Sequence, residues 1–220
     1  MLLSMNVIEL FSSIDGEGKR QGFLTTFLRL HDCNIRCSYC DTLYSYGPES
    51  TFESMSVQAV ADVIEQLENH RITITGGEPL LQETAVIELI DELTRRNPGY
   101  DFNIETNGTI IPSFHRDNVW FTYDYKTPSS LAEEAMNLDI FKVATPADII
   151  KFVVGSMQDL DRMDEILKTY PTDAQIFVSP VWGNIEGATI IEYMKAHNWQ
   201  NVRFQLQIHK FIWDPDAKGV

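Results

Sequence analysis

The feature that most restricts the fold of this chain is the alternation of short apolar strands with amphipathic helices. Strand-like apolar runs recur along the sequence, and segments with apolar residues at helical spacing separate several of them. The predicted strands cover residues 25–30, 71–75, 101–106, 119–125, 149–154, 175–179 and 202–207. The predicted helices are one capped by Ser56, one that follows Pro79 and ends at residues 97–99, and two over residues 157–168 and 188–197. This alternation predicts an α/β fold with a parallel sheet.

The length of the chain limits which parallel α/β fold it can build. A complete eightfold barrel usually needs about 250 residues, and this chain has 220. The interval between residues 106 and 119 is also too short for a full crossover helix. We therefore expect an incomplete, trimmed TIM-like β/α barrel. No repeat, low-complexity tract or linker interrupts the sequence, so we expect one domain over residues 1–220.

Charge and hydropathy exclude several classes of partner. The net charge of −15, with no stripe of Lys and Arg, repels a phosphate backbone, so we expect no nucleic-acid ligand. The longest apolar runs fall well short of the roughly 20 residues that span a bilayer, so we expect no membrane segment. Residues 1–10 lack the pattern of a secretory signal, and we therefore expect a cytoplasmic protein.

All the cysteines of the chain lie in one short segment after the first predicted strand. Cys33, Cys37 and Cys40 have the spacing CxxxCxxC, and an odd number of cysteines so close together does not suit a disulfide framework. A tight loop of this spacing can wrap thiolates around one soft metal centre. Three ligands leave one iron of a [4Fe–4S] cluster open to a small molecule, which is typical of a catalytic device.

Two other interpretations of the cysteine segment stay open. A structural zinc ion could be completed by His31 or Asp32, although structural zinc sites usually use two knuckle pairs separated by a longer loop. The cysteines could also be buried without a ligand. Asn34, Arg36 and Asp41 make the segment polar, however, and this argues against a core strand.

The cysteine motif resembles the signature of the radical S-adenosylmethionine (SAM) superfamily, with an aromatic residue before the last cysteine. In that superfamily the open iron binds the amino and carboxylate groups of the methionine moiety. Two later segments, each at a predicted strand end, agree with the resemblance. Residues 76–79, Gly-Gly-Glu-Pro, resemble the glycine-rich turn near the methionine amino group, where a missing Cβ permits close approach. Residues 105–108, Glu-Thr-Asn-Gly, resemble the segment that contacts the ribose.

Segments outside the superfamily core resemble the 7-carboxy-7-deazaguanine synthase family from end to end of the chain. They are residues 9–18, 27–29, 40–42 and 205–213. The resemblance implies a lyase of queuosine and deazapurine biosynthesis, which contracts 6-carboxy-5,6,7,8-tetrahydropterin to 7-carboxy-7-deazaguanine with loss of ammonia. It also implies a [4Fe–4S] cluster, SAM and Mg²⁺ as cofactors, a homodimer, and an electron donor such as flavodoxin.

The resemblance assigns functions to individual residues. Cys33, Cys37 and Cys40 would hold the cluster, and Thr42 would bind Mg²⁺. The expected SAM-binding residues are Ser38, Tyr39, Cys40, Gly76, Gly77, Glu78, Glu105, Asn107, Tyr125, Lys126, Thr127 and Ser179. The expected substrate-binding residues are Ile14, Asp15, Gly16, Glu17, Arg29, Thr75 and His209.

Two of the expected substrate residues have side chains that suit a carboxylated pterin. A guanidinium such as that of Arg29 can bind the substrate carboxylate through two parallel hydrogen bonds. The carboxylate of Glu17 can accept N–H donors from the aminopyrimidinone ring. For His209, a hydrogen-bonded core histidine at a strand end is the simpler interpretation.

Asp15 departs from the family pattern, in which this position usually carries Gln. A carboxylate lacks the two amide donors and adds negative charge beside a carboxylated substrate. If Asp15 faces the substrate, Asp15→Gln should lower the apparent KM, and an unchanged KM would remove Asp15 from the site.

Two other functions compete with this interpretation. A glycyl-radical activating enzyme also uses the CxxxCxxC loop, but it has no need of a carboxylate-binding arginine. A non-enzymatic zinc-binding module would leave the motifs at the strand ends without a purpose.

Overall fold

The fold is built on one nine-stranded sheet in the strand order β3-β1-β2-β4-β5-β6-β7-β8-β9. The computed structural model describes residues 3–215 and 217–220. The strands are β1 (Ser4–Ile14), β2 (Leu24–Leu30), β3 (Glu53–Ser56), β4 (Arg71–Gly76), β5 (Asp101–Thr106), β6 (Val119–Tyr125), β7 (Ile149–Val154), β8 (Gln175–Pro180) and β9 (Val202–Phe204). Seven strands, β2 and β4 to β9, pair in parallel with their neighbours. Strand β1 pairs antiparallel with both β2 and β3. The sheet is curved and open, as expected for an incomplete barrel.

Helices cover the outer face of the sheet. They are α1 (Val57–Gln66), α2 (Glu83–Arg96), α3 (Ile140–Val143), α4 (Met157–Thr169), α5 (Gly187–Ala196) and α6 (His209–Ile212). Ser56 caps α1, because its side chain accepts a hydrogen bond from the backbone N–H of Ala59. Ser156 caps α4 in the same way through the N–H of Asp159. The apolar faces of the long helices and the sheet form one continuous core.

The structure confirms most predicted elements and adds several that the periodicity did not indicate. The predicted strands and helices over residues 25–30 to 188–197 are all present, with ends that shift by a residue or two. The hairpin of β1 with β2 and the short strand β3 were not predicted. The last strand is shorter than the predicted range 202–207, because it ends at Phe204 and the chain then leaves the sheet.

The loop between β1 and β2 joins the beginning of the sheet to the segment after β9. The side chain of Gln205 donates to the carbonyl of Gly18 and accepts from its N–H, at 2.8 and 2.9 Å. Gln21 donates to the carbonyl of Leu206 at 2.6 Å, and the N–H of Ile208 donates to the carbonyl of Gly16 at 3.0 Å. This loop therefore joins the two ends of the incomplete barrel, which the strands do not close.

Among the helices of the described residues, none is long and apolar enough to cross a membrane.

Candidate active site

A cavity of about 740 Å³ opens at the carboxyl ends of the parallel strands. This volume lies within the range of about 300–1,000 Å³ that is usual for small-molecule sites. Side chains from the ends of β2, β4, β5, β6 and β7 line it, together with the cysteine segment, the loop after β1 and the chain beyond β9. Ligands of parallel α/β folds bind at this edge, because the strand-to-helix loops converge there.

The three cysteines all border this cavity. Cys33, Cys37 and Cys40 are free thiols and partly buried. Burial raises the pKa of Cys33, and it raises the pKa of Cys37 to about 11. Within the described residues, no three His, Cys, Asp or Glu side chains converge closely enough to hold a metal ion. The thiols thus share one wall of the cavity, and their side chains have to turn for all three to bind one cluster.

The glycine-rich turn after β4 packs directly against the backbone that leads into the cysteine segment. The N–H of Gly77 donates to the carbonyl of Leu30 at 3.1 Å, and the N–H of Glu78 donates to the carbonyl of Asp32 at 2.7 Å. A Cβ added at Gly77 would overlap the carbonyl oxygen of Asp32. Gly76 has a φ of +140°, which favours glycine, and a Cβ there would overlap the backbone of Leu30. Both glycines are therefore required by the protein's own packing, in addition to any approach of a ligand.

The cysteine segment is held on its other side by the loop after β6. The N–H of Ser38 donates to the carbonyl of Ser130 at 2.9 Å, and its hydroxyl donates to the carbonyl of Ser129 at 2.5 Å. Tyr39 reaches the carbonyl of Val153 on β7 at 3.3 Å, and Thr127 donates to the same carbonyl at 3.0 Å. These bonds fix the segment relative to the ends of β6 and β7.

Glu78 connects the ends of β4 and β5 beneath the cavity. Its carboxylate accepts from the N–H of Leu80 at 2.9 Å, the hydroxyl of Thr106 at 2.8 Å and the N–H of Asn107 at 2.7 Å. The side chain is fully buried and does not border the cavity. Asn107 does border it, and its amide donates to Asn34 at 2.8 Å. Glu78 therefore positions Asn107 and thereby supports the cysteine segment.

Arg29 enters the cavity from β2 with its guanidinium already oriented. Its Nε donates to Glu9 Oε1 at 2.6 Å, and the hydroxyl of Tyr44 donates to the same oxygen at 2.7 Å. The side chain of Arg29 is only 15% exposed, so it is not an ordinary surface arginine. Because Glu9 uses the Nε–H, the two terminal nitrogens remain to bind an anion in the cavity.

A second group of charges borders the cavity from the loop after β1, from β6 and β7, and from the residue that follows β6. Lys151 Nζ donates to Glu17 Oε1 at 2.7 Å, and Lys126 Nζ lies 2.9 Å from Asp124 Oδ2. All four side chains border the cavity. Charged side chains of both signs therefore line this wall, although the chain as a whole is strongly acidic.

Gly16, Thr75 and His209, three of the expected substrate residues, border the cavity. Thr75 donates to Glu105 Oε2 at 3.1 Å, and burial raises the pKa of Glu105. His209 packs against Gly16 so closely that a Cβ on that glycine would overlap the imidazole ring. Burial lowers the pKa of His209, which favours a neutral ring. His209 begins α6 and borders the cavity; it is not a core residue at the end of a strand.

Asp15 lies below the cavity and does not border it. The residue is 2% exposed, and its carboxylate accepts from the hydroxyl of Thr73 at 3.3 Å. Burial, together with the nearby charge of Glu105, raises the pKa of Asp15 to about 7, against a smaller opposing effect of Arg20. The structure therefore does not bring Asp15 to the predicted pterin contact.

The structure brings most of the predicted residues together, but not all of them. The cavity is bordered by Ile14, Gly16, Glu17, Arg29, Cys33, Cys37, Ser38, Tyr39, Cys40, Thr42, Thr75, Gly76, Gly77, Glu105, Asn107, Lys126 and His209. Asp15, Glu78, Tyr125, Thr127 and Ser179 do not border it. Tyr125 donates to Glu133 at 2.9 Å, and Ser179 is fully buried on β8.

Comparison with known proteins agrees with this site. The model of the radical SAM superfamily matches residues 29–137, which include the cysteine segment and both glycine-containing turns. The 7-carboxy-7-deazaguanine synthase of Clostridium acetobutylicum is 36% identical over 99% of this chain and 100% of its own length. The chain belongs to the 7-carboxy-7-deazaguanine synthase family.

Two further comparisons support this membership. The 7-carboxy-7-deazaguanine synthase of Methanospirillum hungatei JF-1 is 38% identical over 96% of this chain and 86% of its own length. The crystal structure of QueE from Escherichia coli superposes with a TM-score of 0.67 at 25% identity, over 92% of this chain and 93% of that chain. The chain is thus a radical SAM enzyme, and membership of the superfamily implies a [4Fe–4S] cluster and SAM. The comparisons do not favour a glycyl-radical activating enzyme or a zinc module.

The residues present fit those cofactors. The only cysteines of the chain are three thiols at one wall of the cavity, and thiolates are the ligands that iron–sulfur clusters take. The glycine turn beside them also borders the cavity. Thr42 lies next to the last cysteine, with its hydroxyl 3.6 Å from the sulfur of Cys40.

Sequence reasoning missed several charged residues of the site, among them Glu9, which orients Arg29, and Asp124 and Lys151, which border the cavity. Each lies inside a strand, and Asp124 and Lys151 interrupt mostly apolar, buried runs. A lone charge in a strand that is otherwise buried on both faces is costly unless it is paired. That signal could have indicated that these residues face a polar interior.

Proposed function

We propose that this enzyme converts 6-carboxy-5,6,7,8-tetrahydropterin to 7-carboxy-7-deazaguanine with loss of ammonia, as a step of queuosine or deazapurine biosynthesis. The observation that carries the proposal is that Arg29 and Glu17 both border the cavity and that each is held in place by a charged partner. Arg29, oriented by Glu9, offers two N–H donors to a carboxylate. Glu17, held by Lys151, offers carboxylate oxygens to the N–H edge of an aminopyrimidinone ring. A carboxylated pterin has both the carboxylate and the N–H edge that these two residues would bind.

The cysteines at the third wall would hold the cluster. When bound, the cluster and SAM supply a 5′-deoxyadenosyl radical that takes a hydrogen atom from the substrate. The role of the chain is to place the substrate and to limit solvent at the reaction site. Arg29 and Glu17 would fix the two ends of the substrate, while Thr75, Glu105 and His209 would contact its centre.

Residues near the cysteines would bind the cofactor. We assign SAM contacts to those predicted residues that border the cavity, namely Ser38, Tyr39, Cys40, Gly76, Gly77, Asn107 and Lys126, whereas Glu105, which accepts a hydrogen bond from Thr75, is assigned to the substrate instead. Thr42 would provide a hydroxyl ligand to Mg²⁺, which otherwise retains water and substrate oxygens. We further propose a cytoplasmic homodimer that receives electrons from a donor such as flavodoxin.

The test is an anaerobic assay of the reconstituted enzyme with SAM, Mg²⁺, a reductant and 6-carboxytetrahydropterin. We expect mass spectrometry to detect 7-carboxy-7-deazaguanine. Cys37→Ala should abolish the product, because one cluster ligand is removed, whereas Ser54→Ala, at an exposed position on β3, should leave the rate unchanged. Formation of 5′-deoxyadenosine without the deazaguanine would leave the radical chemistry intact and refute the substrate.

A further inference from the structure

Lys151 is a buried cation in the middle of an apolar strand. It is the third residue of β7, whose sequence is Ile-Ile-Lys-Phe-Val-Val, and its side chain is 6% exposed. In the sheet it is paired with Asp124 on β6 and Phe177 on β8. Removing an ammonium group from water is expensive unless it is paired and hydrogen-bonded. The position of Lys151 therefore needs an explanation in terms of its partners.

The partner that Lys151 holds most closely is Glu17, which lies 134 residues earlier in the chain. The Nζ–Oε1 distance is 2.7 Å, whereas Nζ is 3.7 Å from the nearer oxygen of Asp124. Asp124 has a closer cation of its own in Lys126, at 2.9 Å. The main ion pair of Lys151 is thus with Glu17, and it links strand β7 to the loop after β1.

The charges around Lys151 keep it protonated. Burial alone would lower the pKa of Lys151, but Glu17, Asp124 and Glu105 together raise it well above its ordinary value. These carboxylates therefore favour the charged form of Lys151. Burial raises the pKa of Glu105; the charge of Lys151 opposes this rise, and the nearby charge of Glu17 adds to it.

The ion pair leaves part of the Glu17 carboxylate without a partner. Within the described residues, Glu17 Oε2 is buried and makes no hydrogen bond, although the residue borders the cavity. A buried carboxylate oxygen without a donor costs free energy until a donor reaches it. Because Lys151 fixes Oε1, the other oxygen has a defined place, and it is available to N–H donors of a ligand.

We propose that Lys151 is a positioning residue, which fixes the Glu17 carboxylate so that it selects a ring with adjacent N–H donors. The inference rests on the proposed function, because it takes the pterin as the ligand of Glu17. Lys151 acts through Glu17 and does not itself bind the substrate. Its loss should therefore weaken pterin binding while SAM cleavage in the absence of substrate continues.

The experiment compares wild type, Lys151→Met, Glu17→Gln and the double variant, all anaerobic and cluster-loaded. Methionine keeps most of the volume of the lysine stem and removes the charge. A charge-assisted hydrogen bond contributes about 1.5–3 kcal/mol, so we expect Lys151→Met to raise the KM and the dissociation constant of 6-carboxytetrahydropterin by about 10- to 100-fold. The rate of 5′-deoxyadenosine formation without substrate should stay within about twofold of wild type. Lys142→Met, at an exposed lysine of α3, is the matched control and should change neither value.

The double variant separates positioning from direct binding. If Lys151 acts through Glu17, adding Lys151→Met to Glu17→Gln should change the dissociation constant by less than about twofold, since the coupling is lost with the first substitution. Because this variant removes both charges of the ion pair, it leaves no unpaired carboxylate at residue 17, which guards against simple unfolding of Lys151→Met. An equal loss of affinity in both backgrounds would overturn the proposal. A wild-type enzyme that forms no deazaguanine would instead refute the proposed function, and the inference with it.

Discussion

The buried carboxyl group of Asp15 gives a prediction about stability that can be worked from the structure. The pKa of Asp15 rises from an ordinary value of 3.8 to about 7 in the folded protein, mainly because the residue is buried. At ~1.36 kcal/mol per pKa unit, the ionised carboxylate costs the folded state about 4 kcal/mol. Asp15→Asn removes that charge and keeps an oxygen that can accept from Thr73. The substitution should therefore stabilise the protein at high pH.

The sign and the pH range follow from proton binding. Between pH 3.8 and about 7 the folded state holds a proton that the unfolded state has released. Stability attributable to Asp15 is thus fully present below pH 3.8 and falls as the pH rises towards 7. The advantage of Asp15→Asn should be about 2 kcal/mol near pH ~5.5 and about 4 kcal/mol near pH ~8.5.

Urea denaturation of the anaerobic, cluster-loaded proteins at these two pH values is the assay. The control is Asp173→Asn, which changes an exposed carboxylate. An advantage of Asp15→Asn that differs by less than about 0.5 kcal/mol between the two pH values would refute the reasoning. Because Asp15 does not border the cavity, we also expect Asp15→Gln to leave the KM for the pterin unchanged. A lower KM would return Asp15 to the substrate site.

Three further substitutions test the frame around the cavity. Gly77→Ala places a Cβ on the carbonyl of Asp32, so the cysteine segment must shift; we expect a reduced iron content per chain, and full iron incorporation would contradict this packing. Arg29→Lys replaces the planar guanidinium with a single ammonium group, which cannot donate to Glu9 and bind the substrate carboxylate with two parallel hydrogen bonds at the same time. Its KM for the pterin should rise at least about tenfold in steady-state kinetics, and an unchanged KM would exclude Arg29 from the site. Glu78→Gln turns one acceptor towards the N–H of Asn107 into a donor; unfolding should become easier by about 1–3 kcal/mol, and an unchanged thermal midpoint would show that this bond contributes nothing.

The sequence was sufficient for most of the fold because its strands and helices have strong, local periodicity. The strands β4 to β8 and the helices between them carry apolar patterns that need no distant partner to be identified. The strand β1 did not show such a pattern, because its eleven residues include Ser12, Ser13 and Glu9. Its strand conformation depends on pairing with β2, whose residues from Leu24 to Leu30 lie opposite it. A strand with several polar residues in its second half cannot be identified from apolar alternation.

The site could be predicted only in part from the sequence, because some of its contacts join residues that are distant in the chain. Arg29 and Glu17 were indicated by family resemblance, and both border the cavity. Their partners Glu9 and Lys151 were not indicated, because a charge inside a strand shows that a partner is needed but not which residue provides it. Of the residues that the resemblance assigned, five do not border the cavity, namely Asp15, Glu78, Tyr125, Thr127 and Ser179. Adjacency in sequence did not fix which way each side chain points.

The sequence alone therefore determined the features whose geometry is local. The spacing of Cys33, Cys37 and Cys40 and the glycines at residues 76–77 act within a few residues of chain, so composition and order are enough to predict their chemistry. Only the tertiary structure decided which charges meet. Lys151 reaches Glu17 across 134 residues because the barrel brings β7 opposite the loop after β1. That pairing depends on the register and curvature of the whole sheet, and a buried charge is tolerated only where the folded chain supplies its partner.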